Sequence, residues 1–250
     1  MDYGYQLLRH VVQQVFGNLG QAARLTLFLV LVPAIFLLLT NEALFIQGAI
    51  SMQNNALEIN WSFAFLGLIG SVVAWCWAAV GWHRFVLLEE YGGGIVPQWR
   101  GSQIWAYFVS ALVVSLVVIA AGVVLGFGIG IIGSLLPIRG LLVFMGIGMI
   151  TALMWISTRV GLILPAAAVG AKLRIRESWA ATRPVSGQIL LPIIVVAIVG
   201  AIVSQLIVLL LGVGFVPALI GTLVSWLQLL VNLALMTTLY GNLIEGRALN

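Results

Sequence analysis

His83, Arg84, Glu89 and Glu90 place a base, a cation and two carboxylates within eight positions. At a membrane surface such a set suits general acid–base work on a lipid. Metal chemistry needs more than this. No second histidine stands at ligand spacing, because His10 lies 73 residues earlier. Tyr91-Gly92-Gly93-Gly94 lacks the strand–loop–helix setting and the lysine of a phosphate loop, which excludes nucleotide binding. The competing reading is positional. His83 and Arg84 lie about 33 Å along a helix from Trp61, at the far edge of a hydrocarbon layer about 30 Å thick. Trp75, Trp77 and Trp82 surround them as an aromatic belt. Arg84 and Trp82 are then interface anchors, and no catalytic residue, metal ligand or cofactor is assigned.

A second cluster runs from Trp155 to Gly187. It holds Arg159, Lys172, Arg174, Arg176 and Arg183, five of the eleven Lys and Arg residues. Arg159 comes about 28 Å along a helix from Gly140. Its guanidinium therefore reaches the interface and snorkels to phosphates, with Trp155 one turn earlier to stack on it. A buried functional charge is the alternative. Within Ala171 to Pro184, Leu173, Trp179 and Ala180 share one face at helical spacing, with Lys172, Arg176 and Arg183 opposite. Arg174 pairs with Glu177, and Pro184 stops the helix. A basic amphipathic helix lies naturally along anionic headgroups. Lys172, Arg174, Arg176, Trp179 and Arg183 are thus candidate contacts for anionic phospholipid or for a partner protein. The other reading gives these charges only the task of setting orientation during insertion.

A third set is a polar stripe, Thr222, Ser225, Gln228 and Asn232, whose spacings of 3, 3 and 4 put it on one helix face, with Gln205 able to meet it from the preceding helix. Interhelical hydrogen bonding explains it; the sharper alternative is the lining of a small polar cavity. The apolar spans contain no Asp or Glu, so a proton- or sodium-coupled carboxylate site is excluded.

The elements that must hold these residues follow from composition. The chain has 250 residues, 62% hydrophobic and 7% charged, whereas soluble domains are about 25% charged. Long apolar runs predict an all-α, polytopic membrane protein with six transmembrane helices. They fall near Ala22–Leu39 (with Pro33 as a kink), Trp61–Leu88, Ile104–Val124, Leu141–Leu164, Gln188–Leu211 and Val216–Leu243. Gly126 to Gly133, then Pro137, Arg139 and Gly140, read as the turn after the third. Gly122, Gly126 and Gly130 either allow close helix contact or loosen that turn. The chain is one integral membrane domain: a lead over 1–21, a bundle over 22–243 and a tail over 244–250. Residues 5–19 form an amphipathic helix, with Leu8, Val11, Val12, Val15 and Leu19 on one face. It lies either in the interface or as a cap on the bundle. Cys76 stands alone in an apolar setting, so no disulfide forms within the chain. The late start of the first apolar run and the absence of a small-residue cleavage site argue against a signal peptide.

Charge gives the sidedness. Every Lys and Arg except Arg139 falls in, or within a few residues of, the lead, the second-to-third loop, the fourth-to-fifth loop or the tail, ten against one. Both termini are therefore expected in the cytoplasm. The segments 5–19, 85–103 and 165–187 each precede a pair of spans, and Gly101-Ser102-Gln103-Ile104 echoes Ser186-Gly187-Gln188-Ile189. This suggests three hairpins, each with an interfacial collar.

The run R-V-G-L-I-L-P-A-A-A-V-G, followed by R-E-S-W-A-A-T-R, resembles a group of bacterial six-helix inner-membrane proteins, including the membrane domain fused to some glycerophosphodiester phosphodiesterases. The match rests on Arg159, Pro165, Ser178, Trp179 and Thr182 over about 40 residues. It implies a bacterial inner-membrane location and a six-helix fold. It implies no activity, because the soluble phosphodiesterase domain is absent. The expected function is non-enzymatic: organising lipid or a protein partner through the basic cytoplasmic face, with no nucleic acid involved. A transporter of a small or amphipathic molecule is the alternative, and an interfacial lipid-modifying enzyme a minor one.

Overall fold

The computed structural model describes residues 2–40, 61–91, 94–136, 138–212 and 214–249. The first loop, with Glu42 and Glu58, lies outside the described residues, as do Gly92, Gly93 and Pro137. The described chain is all-helical, with no strand. In hydrocarbon no water is present to bond backbone groups, so apolar runs of this length satisfy their own amides and carbonyls as helices. Six spans are long and apolar enough to cross a membrane: Leu19–Leu39, Trp61–Leu88, Gly101–Leu135, Arg139–Val169, Leu190–Leu211 and Phe215–Leu243.

In chain order, α1 (Tyr3–Gly17) and the short α2 (Leu19–Ala22) lead through a π turn, Ala23–Leu27, into α3 (Phe28–Thr40). Next come α4 (Trp61–Leu88), α5 (Gly101–Leu135) and α6 (Arg139–Val160), then the short α7 (Ile163–Val169) and α8 (Ile175–Ala181). A 3-10 turn, Arg183–Val185, precedes α9 (Leu190–Leu211) and α10 (Phe215–Leu243). α3 packs on α4, α5 on α6, and α9 on α10, while α7 wedges against α4 and α5. The buried core sits at one end, where Leu7, Val15, Trp82, Leu162, Leu230 and Leu239 meet. That end also holds α1, α7, α8 and the tail. We call it the basic end; Arg139 stands at the other. α5, α6 and α9 leave almost all of their most apolar windows exposed, as surfaces facing lipid would be.

One expectation about length is corrected. The third helix does not stop near Val124, because α5 continues to Leu135 through the glycine-rich stretch. Leaving the helix there would orphan backbone groups, and glycine is tolerated in spans for that reason. At about 52 Å, α5 exceeds the hydrocarbon thickness and must tilt or project. Of its spaced glycines, Gly122 faces Leu153 of α6, while a methyl group at Gly126 or Gly130 would meet open space. Close helix contact is therefore made at Gly122 alone among the three.

The face that α1 buries also differs. Leu7, Val11 and Val15 are buried, and Gly4 approaches the Gln188 carbonyl so closely that any side chain there would collide with it. α1 packs on α9 and α10. The Tyr3 hydroxyl donates to Asn242 Oδ1 at 2.9 Å, and burial pushes the Tyr3 phenol up to about 12. A second apolar row, Tyr5, Val12, Phe16 and Leu19, remains exposed. α1 thus has three sides: one against the bundle, one apolar and open, one polar.

Candidate functional site

The basic segment is built around Arg159. This residue ends α6 and is only 5% exposed, so its guanidinium does not snorkel into open interface. It lies between two indoles, 4.8 Å from the Trp155 centroid and 3.7 Å from that of Trp179. Its Nε donates to Thr182 Oγ1 at 3.2 Å and an Nη to the Trp179 carbonyl at 2.9 Å. The Ser178 hydroxyl returns a bond to the Arg159 carbonyl at 2.6 Å, and the Trp155 indole N–H donates to the Ser186 carbonyl at 2.7 Å. Ser178 and Thr182 are four residues apart, so one helical face presents both to α6. The Arg, Ser, Trp and Thr of the sequence pattern meet in one cluster, whose work is to hold the loop onto the bundle.

The loop itself is shorter in helix than its pattern suggests. Gly170 ends α7 in the left-handed region, φ 82°. Residues 171–174 are not helical, and α8 covers Ile175–Ala181 only. Glu177 does not pair with the Arg174 side chain. Its carboxylate accepts the Arg174 backbone N–H at 2.7 Å and caps α8 instead. Lys172, Arg174, Arg176 and Arg183 are exposed. None of the four side chains hydrogen-bonds or ion-pairs among the described residues. Trp179 is 38% exposed, its indole divided between Arg159 and the surface.

Three other cations of the basic end, Arg84, Arg100 and Arg247, are committed to structure, while Arg9 and Arg24 are exposed. Arg84 grips the Glu90 carboxylate with two donors, at 2.9 and 2.6 Å, and donates to the Ala168 carbonyl at the end of α7. Arg100 takes the other oxygen of Glu90 at 3.0 Å. Arg247 folds back from the tail onto the Val86 and Leu87 carbonyls at the end of α4. Arg84, Arg159 and Arg247 thus each satisfy carbonyls at a helix C-terminus, where positive charge is favoured. For Glu90, burial pushes the carboxyl up. The hydrogen bonds from Arg84 and Arg100, then their charges, outweigh burial and hold it below its ordinary range.

The lipid-enzyme constellation is not assembled. His83 is fully buried, and its Nδ1 lies 2.7 Å from Thr237 Oγ1. The Thr237 hydroxyl donates to the Leu233 carbonyl, so Nδ1 carries the proton, and the buried Nε2 has no partner among the described residues. Glu90 is held by arginines and Glu89 is exposed. Trp82, expected as an interface anchor, is fully buried. The exposed indoles among the described residues are Trp61, Trp75, Trp99 and Trp105, with Trp179 exposed in part. Among the described residues no group of three His, Cys, Asp or Glu could hold a metal.

The polar stripe divides. Thr222 and Ser225 line a cavity of about 540 Å³ between α3, α4, α9 and α10, together with Ser71 and Ser204. Gln228 instead packs over Gly200 of α9, where any side chain would displace it. Asn232 bonds the Gln228 carbonyl at 2.8 Å, and Gln205 is exposed and lines no part of the cavity. Nothing in the sequence separates these roles, because they depend on how closely α9 approaches α10.

No protein family, curated protein or solved structure matches this chain.

Proposed function

We propose that the chain is a non-enzymatic, multi-pass protein of the bacterial inner membrane, arranged as three hairpins with both termini in the cytoplasm. Its basic end gathers anionic phospholipid. The observation that carries this reading is the division among its cations. Arg84, Arg100 and Arg247 meet carboxylates or helix ends, and Arg159 is caged by indoles. Lys172, Arg174, Arg176 and Arg183 project from one short segment with no partner among the described residues. Four unpaired cations close together attract headgroup phosphates, each contributing about 1 kcal/mol near an anionic surface. The open apolar row of α1 supports an interfacial position for that helix beside them. The test is to change Lys172, Arg174 and Arg176 together to Gln, verify orientation, and quantify phosphatidylglycerol that copurifies. A clear drop is expected. Unchanged anionic lipid leaves these charges with a topological role only.

Transport is the second reading, and the cavity of about 540 Å³ favours it. Its walls are apolar apart from hydroxyls, and those of Ser71 and Thr222 are already bonded to their own helices. An amphipathic cargo with a long apolar part fits such a lining. Ser225→Leu together with Ser204→Leu should narrow it; solute or lipid movement unaffected by that narrowing excludes this route.

A further inference from the structure

A separate site, sharing no lining residue with the segment 171–187, lies between α1 and the close of α4. A cavity of about 410 Å³ opens there, lined by Gln13 and Gln14 of α1, by Asn18 just after it and by Phe85, Glu89 and Tyr91, with His10 on the same wall. No Lys or Arg lines it among the described residues, and Glu89 is its one carboxylate.

Glu89 is odd in two independent ways. First, its carboxylate has no hydrogen-bond or ionic partner among the described residues. Glu90, Glu177 and Glu245 all have one. Second, Glu89 occupies the left-handed position that ends α4, with φ 53°. The Glu90 N–H closes that turn on the Arg84 carbonyl at 3.3 Å. Such a position is normally glycine, because a Cβ there is strained. The fold therefore gains nothing from a glutamate at this place and loses some stability to it.

What the wall would recognise follows from its chemistry. A carboxylate without a partner attracts a cation. Tyr91, exposed and held edge to face on the buried Phe85 at 5.4 Å, offers ring surface to an organic cation. The Gln13 and Asn18 side chains supply carbonyl acceptors for N–H groups. A hydrated metal ion would make no use of the rings, and an anion would be repelled by Glu89. The geometry points to a binding site for an organic ammonium group. Its depth is that of α1, whose exposed row of Tyr5, Val12, Phe16 and Leu19 marks an apolar boundary beside it. The ammonium of an ethanolamine headgroup reaches this depth; so does a soluble amine. The site is independent of the cations at 172–183, and its failure would leave that reading untouched.

The test is calorimetric titration of the purified full chain in an amine-free detergent. The probes are dihexanoyl-phosphatidylethanolamine, ethanolamine and dihexanoyl-phosphatidylglycerol. The ethanolamine lipid is expected to bind, and Glu89→Gln to weaken it by about tenfold or more. Glu89→Gly should weaken it equally while melting no lower than the wild type, which separates lost binding from lost folding. Ethanolamine binding as tightly as the short-chain lipid supports the ammonium site and assigns it to soluble amines. Binding unchanged in Glu89→Gln, equal binding of the glycerol lipid, or no binding of either amine overturns the proposal.

Discussion

The Arg159 guanidinium lies 3.7 Å from the Trp179 ring centroid and donates to the carbonyl of the same residue at 2.9 Å. One side chain therefore holds both the ring and the backbone of α8. Lysine keeps the charge but has no plane to stack and no fork to reach Thr182 as well. Arg159→Lys should cost about 2 kcal/mol, from one charged hydrogen bond and one cation–π contact. Reversible unfolding in mixed micelles measures it, alongside proteolysis between 171 and 187, which should quicken. A lysine variant as stable as the wild type would make Arg159 a simple anchor.

The sequence makes the apolar spans readable because hydropathy is a property of each run by itself. Five of the six spans agree with the structure to within a few residues at both ends; the third does not, because α5 runs on past its expected end, since glycine signals a turn in water and not in lipid. The partners of Arg159 were partly visible, because Ser178, Trp179 and Thr182 fall at helical spacing close by. The partner of His83 was not. Thr237 is 154 positions away, and only the packing of α4 on α10 brings it near. The ion pairs of Glu90 are hidden for the same reason: a list of nearby residues does not say that Arg84 and Arg100 close on one carboxylate.

Sidedness rests on the distribution of cations, ten against one. In a Cys76→Ala background, a cysteine at the exposed position 171 should be labelled only from the cytoplasm. One at the exposed position 136 should be labelled only from outside, by an impermeant maleimide on intact cells. The reverse pattern would overturn the orientation and, with it, the placing of the basic end against the cytoplasmic leaflet.

His83 and Thr237 form a buried pair, Nδ1 to Oγ1 at 2.7 Å. Thr237→Val preserves shape but leaves the imidazole N–H with no acceptor, and a buried donor left unmade costs about 1–3 kcal/mol. His83→Phe with Thr237→Val removes both polar groups. The double variant should be more stable than the sum of the single losses predicts, and a double-mutant cycle reads that coupling. Strict additivity would mean that water already satisfies the ring.

Glu90 gives the fold a dependence on pH with a definite sign. Burial pushes its carboxyl up, but the bonds and charges of Arg84 and Arg100 outweigh that and hold it below its ordinary 4.5 in the folded protein. A group depressed by folding stabilises fully above its unfolded value and loses that contribution as pH falls through its folded value. Its side chain is 27% exposed, so the gain is moderated by solvent and amounts to about 1 kcal/mol. Glu90→Gln should therefore melt below the wild type at pH 7, and the gap should narrow steadily once pH drops under 4.5. Wild type and variant differ only at this carboxyl, so narrowing reports Glu90 itself. A gap of constant size across that window would show that the glutamate acts through packing rather than charge. A gap that widens on acidification would mean the carboxyl is raised, with burial outweighing the two arginines.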